Sequence, residues 1–142
     1  MSLFNIFDVA GSGMSAQSVR LNTTASNVAN ADAVSSSINE TYRARHPVFA
    51  AEMANATAAQ SLGQQSSMKV AVKGIVESDA PLIKEYSPDH PMSDADGFIY
   101  KPNVNVMEEM ADMISASRTY QMNTQVADAA KSMLQQTLRM GK

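Results

Sequence analysis

Cysteine is absent from the 142 residues. Disulfides, thiolate metal sites and cysteine nucleophiles are excluded together, and the chain suits a reducing or an oxidising compartment equally. Tryptophan is also absent, and aromatic residues are only 6% of the chain. Charged residues make up 18%, below the roughly 25% of ordinary globular proteins. The net charge is −3 with lysine and arginine dispersed, so the basic stripe of a nucleic-acid binder is missing. No apolar run approaches the roughly 18 residues of a membrane span, and the chain does not read as membrane-embedded. The opening Met1-Ser-Leu-Phe-Asn-Ile-Phe-Asp8 has no basic segment, and Asn5 and Asp8 break its apolar stretch. It does not read as a cleaved secretory signal. Without such a signal, the Asn-x-Ser/Thr triplets beginning at Asn22, Asn39 and Asn55 are chance matches.

What fills the chain instead is methionine, eleven residues of it, with much alanine, serine, asparagine and glutamine. This composition suits small, weakly charged surfaces that pack against neighbours, not one large aromatic core. Three segments are predicted: an N-terminal helix over 1–30, a loop and β-rich insert over 31–103, and a C-terminal helix over 104–142.

In the first segment Leu3, Phe7, Ala10, Met14, Gln17, Leu21, Thr24 and Val28 follow alternating four-three spacing. That is a coiled-coil seam with two polar interruptions. An ordinary amphipathic core helix would give a similar pattern. Gly11 and Gly13 weaken the helix by up to about 1 kcal/mol each relative to alanine. Only Asp8, Arg20 and Asp32 carry charge before Glu40, so the helix is poorly stable alone and wants partners.

The C-terminal segment carries the same spacing through Val106, Met110, Met113, Ser117, Tyr120, Thr124, Ala127, Lys131, Leu134 and Leu138. Met107, Ile114, Met122, Val126, Met133 and Met140 form a second stripe beside it. Asn105 with Glu108 resembles a capping box, and Glu108, Glu109 and Asp112 suit the positive end of the helix dipole. Lys131 and Arg139 suit the other end, and Gly141 is a natural stop. At about 1.5 Å per residue the helix exceeds 50 Å, more than so small a domain can cover. Apolar surface left over on paired terminal helices points to assembly.

In the insert, residues 31–39 read as loop. Strands are predicted at Tyr42–Glu52, bent at Pro47, and at Met68–Glu77, Leu82–Tyr86 and Phe98–Lys101. Met68, Val70, Val72 and Val76 share one face of the second. Met68–Glu77 is expected to pair with Phe98–Lys101 in one small sheet. Ala59–Ser67 reads as a mobile loop, and Asp96-Gly97 as a turn. The fold class is mainly α, with long terminal helices pairing as a coiled coil around a small β-rich insert.

Chemistry is hard to find. His46 and His90 each precede a proline and read as structural or solvated. Asp94-Ala-Asp96-Gly97 fails as a calcium loop, because the first and last loop positions fall on Met92 and Asn103, neither of them acidic. No phosphate loop, nucleophile elbow or basic-aromatic platform appears. The sequence predicts no enzyme, no cofactor, no metal, and neither a small-molecule substrate nor nucleic acid as partner.

Arg20-Leu-Asn-Thr-Thr-Ala25-Ser-Asn27-Val-Ala29-Asn30 resembles the N-terminal signature of the flagellar rod and hook proteins. Asn5-Ile-Phe-Asp-Val-Ala-Gly-Ser-Gly-Met14 and Tyr42-Arg-Ala-Arg45 are similar to rod members of that family. So are Pro91-Met-Ser-Asp94-Ala-Asp-Gly97-Phe-Ile-Tyr, Pro102-Asn103-Val-Asn105-Val, Glu109-Met110, Ser115-Ala-Ser-Arg118-Thr-Tyr120-Gln and Lys131-Ser-Met. The likeness covers both ends almost wholly and the middle patchily. Ala33 and Val34 stand where the family usually has serine or threonine, and segments 34–39 and 53–67 do not match closely.

The resemblance implies a structural subunit of the basal-body (proximal) rod, a hollow drive shaft that transmits torque and conducts exported subunits. It implies partners among its own copies, the other proximal and distal rod subunits and the rod-base or export-gate adaptor. It further implies passage through the flagellar type III export apparatus without a cleaved signal peptide, and a final place in the rod across the periplasm. The expected subunit interface comprises Leu3, Phe7, Met14, Leu21, Val28, Met110, Met113, Ser117, Tyr120, Ala127, Leu134 and Leu138. Asn27, Asn30 and Arg118 join it through the signature, although the asparagines would equally cap the helix end and Arg118 would equally be a solvated charge. Helix pattern alone would also fit a cytosolic helical adaptor or chaperone-like binding module.

Overall fold

The computed structural model describes residues 3–53 and 68–141, with side chains from Asn5 onward. The predicted loop at 59–67 and the Leu3 side chain lie outside the described residues. The element order is α1 (Leu3–Ala29), β1 (Arg45–Met53), β2 (Met68–Glu77), β3 (Ile83–Tyr86), β4 (Phe98–Lys101) and α2 (Val106–Met140). The two long helices flanking short strands match the predicted class.

Gly11 and Gly13 do not interrupt α1. It stops where Asn30 donates from Nδ2 to the Ser26 carbonyl at 2.8 Å, closing one of the carbonyls that a helix end leaves open. At the start of α2, Asn105 Oδ1 accepts the Met107 N–H at 3.2 Å, an N-cap of the kind asparagine makes well. Glu108 and Glu109 occupy the first turn and Arg139 the last, as the helix dipole favours.

The strands form two separate two-stranded sheets, β1 with β2 and β3 with β4. The expected pairing of Met68–Glu77 with Phe98–Lys101 is therefore corrected. Each sheet pairs two strands that are consecutive in the chain, so neither pairing crosses another strand. β3 runs antiparallel to β4, with Ile83 opposite Lys101 and Tyr86 opposite Phe98. The Tyr86 and Phe98 rings meet edge to face at 5.2 Å. The return to β4 is the turn expected at Asp96-Gly97. The Gly97 N–H donates to the Asp94 carbonyl at 3.0 Å, and Gly97 has φ of 78°, a conformation glycine adopts without steric cost.

The chain divides into two compact units. Among the described residues the first takes 3–19, 48–53, 68–74 and 115–141. The second takes Arg20–Pro47 and Ile75–Ile114. In the first unit the buried apolar residues are Ala10, Ala16, Ala116 and Ala130. Their burial removes little apolar surface, at about 0.8 kcal/mol per methylene-sized group, but lets backbones approach closely. An added Cβ at Gly13 would lie 2.7 Å from Nδ2 of Asn123, so this glycine makes room for α2. Lys69 of β2 pairs with Asp8 of α1 at 3.1 Å. Lys69 and Ala71 are accordingly half-buried, while Met68, Val70 and Val72 are exposed. The apolar face of β2 thus lies on the solvent side.

In the second unit Ile99 and Tyr100 of β4 are buried with Ala44 and the fully buried Pro102. Ser35 and Tyr100 exchange backbone hydrogen bonds at 3.1 and 3.0 Å, tying the polar segment after α1 to β4. Much of the remaining interior is polar: Thr23, Thr24, Asn27, Ser35, Thr41 and Glu109.

Candidate assembly surface

Along α2 the covered line is Glu109, Met113, Ala116, Tyr120, Asn123, Ala127, Ala130 and Leu134. Glu109, Ala116 and Ala130 are buried, and Met113, Asn123, Ala127 and Leu134 are half-buried. Tyr120 is 40% exposed. This is again four-three spacing, but half of it sits one residue before the predicted seam. Met113, Tyr120, Ala127 and Leu134 are common to both lines. Met110 and Leu138 stand out in solvent, at 49% and 67% exposure. Ser117 is half-buried and Arg118 exposed.

The displaced half is occupied by Glu109, Ala116, Asn123 and Ala130, residues a hydrophobic pattern does not score. Against Asn123 α1 presents Gly13, and Glu109 meets Asn27. In the first unit Thr124 Oγ1 donates to Met14 Sδ at 3.5 Å. Phe7, Met14, Leu21 and Val28 are each half-buried, while Ala10 and Ala16 are fully covered.

The second stripe of α2 has no cover among the described residues. Met107, Ile114, Met122, Val126, Met133 and Met140 are all exposed, from 48% at Val126 to 79% at Met140. Single exposed apolar side chains are ordinary, but a run of six on one helix face is the mark of a contact surface.

At the end of α1 the Asn27 side chain is wholly buried. Its Nδ2 donates to the Arg45 carbonyl at 2.8 Å and to Glu109 Oε1 at 2.9 Å. Its Oδ1 accepts the Tyr42 hydroxyl at 2.8 Å and the Arg45 N–H at 2.9 Å. Every donor and acceptor of the amide is used, and one residue joins α1, β1 and α2 inside the second unit. Burial pushes the Glu109 carboxyl above its ordinary pKa. The Asn27 hydrogen bond and nearby His46 pull it back, and Asp112 and Glu108 push it up again. Periodicity missed this node. Its legible signals are Asn27's place in the N-terminal signature and Glu109's position four residues before Met113 of the seam. Asn30, by contrast, serves its own helix end.

Nothing described here is arranged for chemistry. His46 is exposed, and His90 Nδ1 accepts the Met92 N–H at 3.1 Å within its turn. No cluster of three metal-ligating side chains occurs among the described residues. Nor is any described helix long and apolar enough to cross a membrane.

Residues 7–35 match the family described as flagella basal body rod protein, and residues 95–140 the family described as flagellar basal body rod FlgEFG protein C-terminal. The first span holds Asn27 and the second holds Glu109. The flagellar basal-body rod protein FlgC of Salmonella typhimurium is 44% identical over 142 residues, covering all of both chains. That of Yersinia enterocolitica is 46% identical over the same full length. In Borreliella burgdorferi the identity is 35% over 147 residues, covering 97% of each chain. Two terminal helices in contact, a covered line of small residues, an uncovered apolar stripe and full-length likeness to these proteins lead to one assignment: the chain belongs to the FlgC family of flagellar basal-body rod proteins.

Proposed function

We propose that the chain builds the proximal part of the rod by packing its terminal helices against copies of itself and against other rod subunits. The exposed stripe Met107, Ile114, Met122, Val126, Met133 and Met140 carries this reading. Burying such a stripe releases about 1.5–3 kcal/mol per large side chain, and neighbouring subunits are the available cover. Met110, Leu138 and the exposed edge of Tyr120, which lie off this stripe, add further exposed apolar surface to the interface. Repeated head-to-tail contacts between unlike, complementary faces generate an open helical array, which can carry torque around a hollow centre. Its partners are then proximal and distal rod subunits, the rod-base adaptor and the type III export apparatus that delivers it to the rod across the periplasm.

A strain lacking the chain should stop basal-body construction at the inner-membrane ring, and complementation should restore the rod. Deleting the first twenty residues should trap the protein in the cytoplasm. Intact rods without the chain would overturn the structural role, and normal export of the truncated protein would overturn the delivery route. A cytosolic adaptor would expose an apolar helix face too, but its loss would leave rod construction unchanged.

A further inference from the structure

Within the Asn27 node one atom lacks a partner. Glu109 is 4% exposed and its Oε1 is held by Asn27, yet its Oε2 is buried with no hydrogen bond. A buried polar atom left without a partner is costly, and far more so when it carries charge. We propose that Asn27 and Glu109 form a charge-sensitive latch in the second unit. With Glu109 neutral, the latch holds the end of α1 to the first turn of α2 and the start of β1. Ionisation of the carboxylate weakens it.

Burial is the largest influence on this carboxyl, and each packed element adds its own. The α1 side presents Asn27, which carries no charge and whose hydrogen bond favours the ionised form. The α2 side adds the negative charges of Glu108 and Asp112. From β1, His46 opposes them when cationic. The guanidinium of Arg45 is engaged elsewhere, 3.0 Å from Glu77 and over the Tyr42 ring at 5.4 Å. None of the ion pairs among the described residues involves Glu109.

The direction with pH follows from linkage. A carboxyl whose pKa is raised by folding binds its proton more tightly in the folded state. Its contribution is complete below the ordinary glutamate pKa and is lost as pH rises through the folded value. The latch is therefore tight in acid and slackens as pH rises through the folded value, and a subunit that orders on docking gains from a loosely held unit above it.

Carboxyl-carbon NMR of the full chain, labelled at glutamate, reads the Glu109 midpoint directly. Amide exchange at Arg45, whose N–H donates to Asn27, reads the latch. The midpoint should lie above that of ordinary glutamates and should rise further in His46→Gln. Relative to Glu109→Gln, wild-type Arg45 protection should fall as pH rises through that midpoint, by about tenfold for each pH unit of raised pKa. An ordinary or lowered midpoint, or the same pH dependence of Arg45 protection in Glu109→Gln, would overturn the latch. Should Glu109→Gln fail to fold, the wild-type midpoint alone decides.

Discussion

Asn27 and Gly97 show how much one position can hold. Replacing Asn27 by alanine strips partners from the Arg45 N–H and carbonyl, the Tyr42 hydroxyl and Glu109 Oε1 at once. Each buried group left unsatisfied costs about 1–3 kcal/mol. Allowing for relaxation, Asn27→Ala should lose about 3 kcal/mol or more of stability, read by urea unfolding of the purified chain. A loss no larger than that of Asn22→Ala, on the exposed side of α1, would contradict the node. At Gly97 an added Cβ would sit 3.0 Å from the Tyr86 ring and 3.3 Å from Pro88 Cβ, on a backbone at positive φ. Gly97→Ala should cost about 1–2 kcal/mol and shift the Tyr86 and Phe98 resonances. Gly97 was legible because Asp-Gly just before a strand reads as a turn. Asn27 was legible only as part of a signature. Nothing in a single sequence announces that a helical asparagine will find a glutamate 82 positions away.

At the scale of elements, both helices were legible to within a few residues: four-three spacing runs the length of each, and for α2 a cap and charge placement also mark the ends. Their covered faces were less so. A seam read from large apolar side chains ran through Met110, Ser117 and Lys131, whereas the covered line runs through Ala116, Asn123 and Ala130. Close backbone approach selects small residues, and these are invisible to a hydrophobic count. The sheet pairing went wrong for a related reason. Short strands have interchangeable patterns, so residue type alone does not choose their partners. The revised faces alter what a mutation should do. Ala127 sits half-buried on the covered line of α2, so Ala127→Asp should lower the melting temperature of the isolated chain as well as its assembly. Gln136 is exposed, and Gln136→Asp should leave circular dichroism and melting unchanged. Equal melting temperatures for the two variants would show that the line from Glu109 to Leu134 is not the one covered within the chain.

For the whole molecule the decisive feature is the division of labour on α2: one face closed within the chain, the other left open. Met133 is 54% exposed on the open stripe. An aspartate there keeps its water in the free chain and loses it once a neighbour covers the helix, a burial that costs several kcal/mol without a partner. The most direct measurement is rod assembly by Met133→Asp in a strain lacking the native chain, scored by electron microscopy of purified basal bodies. Circular dichroism of the purified variant serves as the folding control. The account predicts wild-type helicity and melting with few or no completed rods and no swimming. Normal rods and normal swimming from a folded Met133→Asp chain would contradict it.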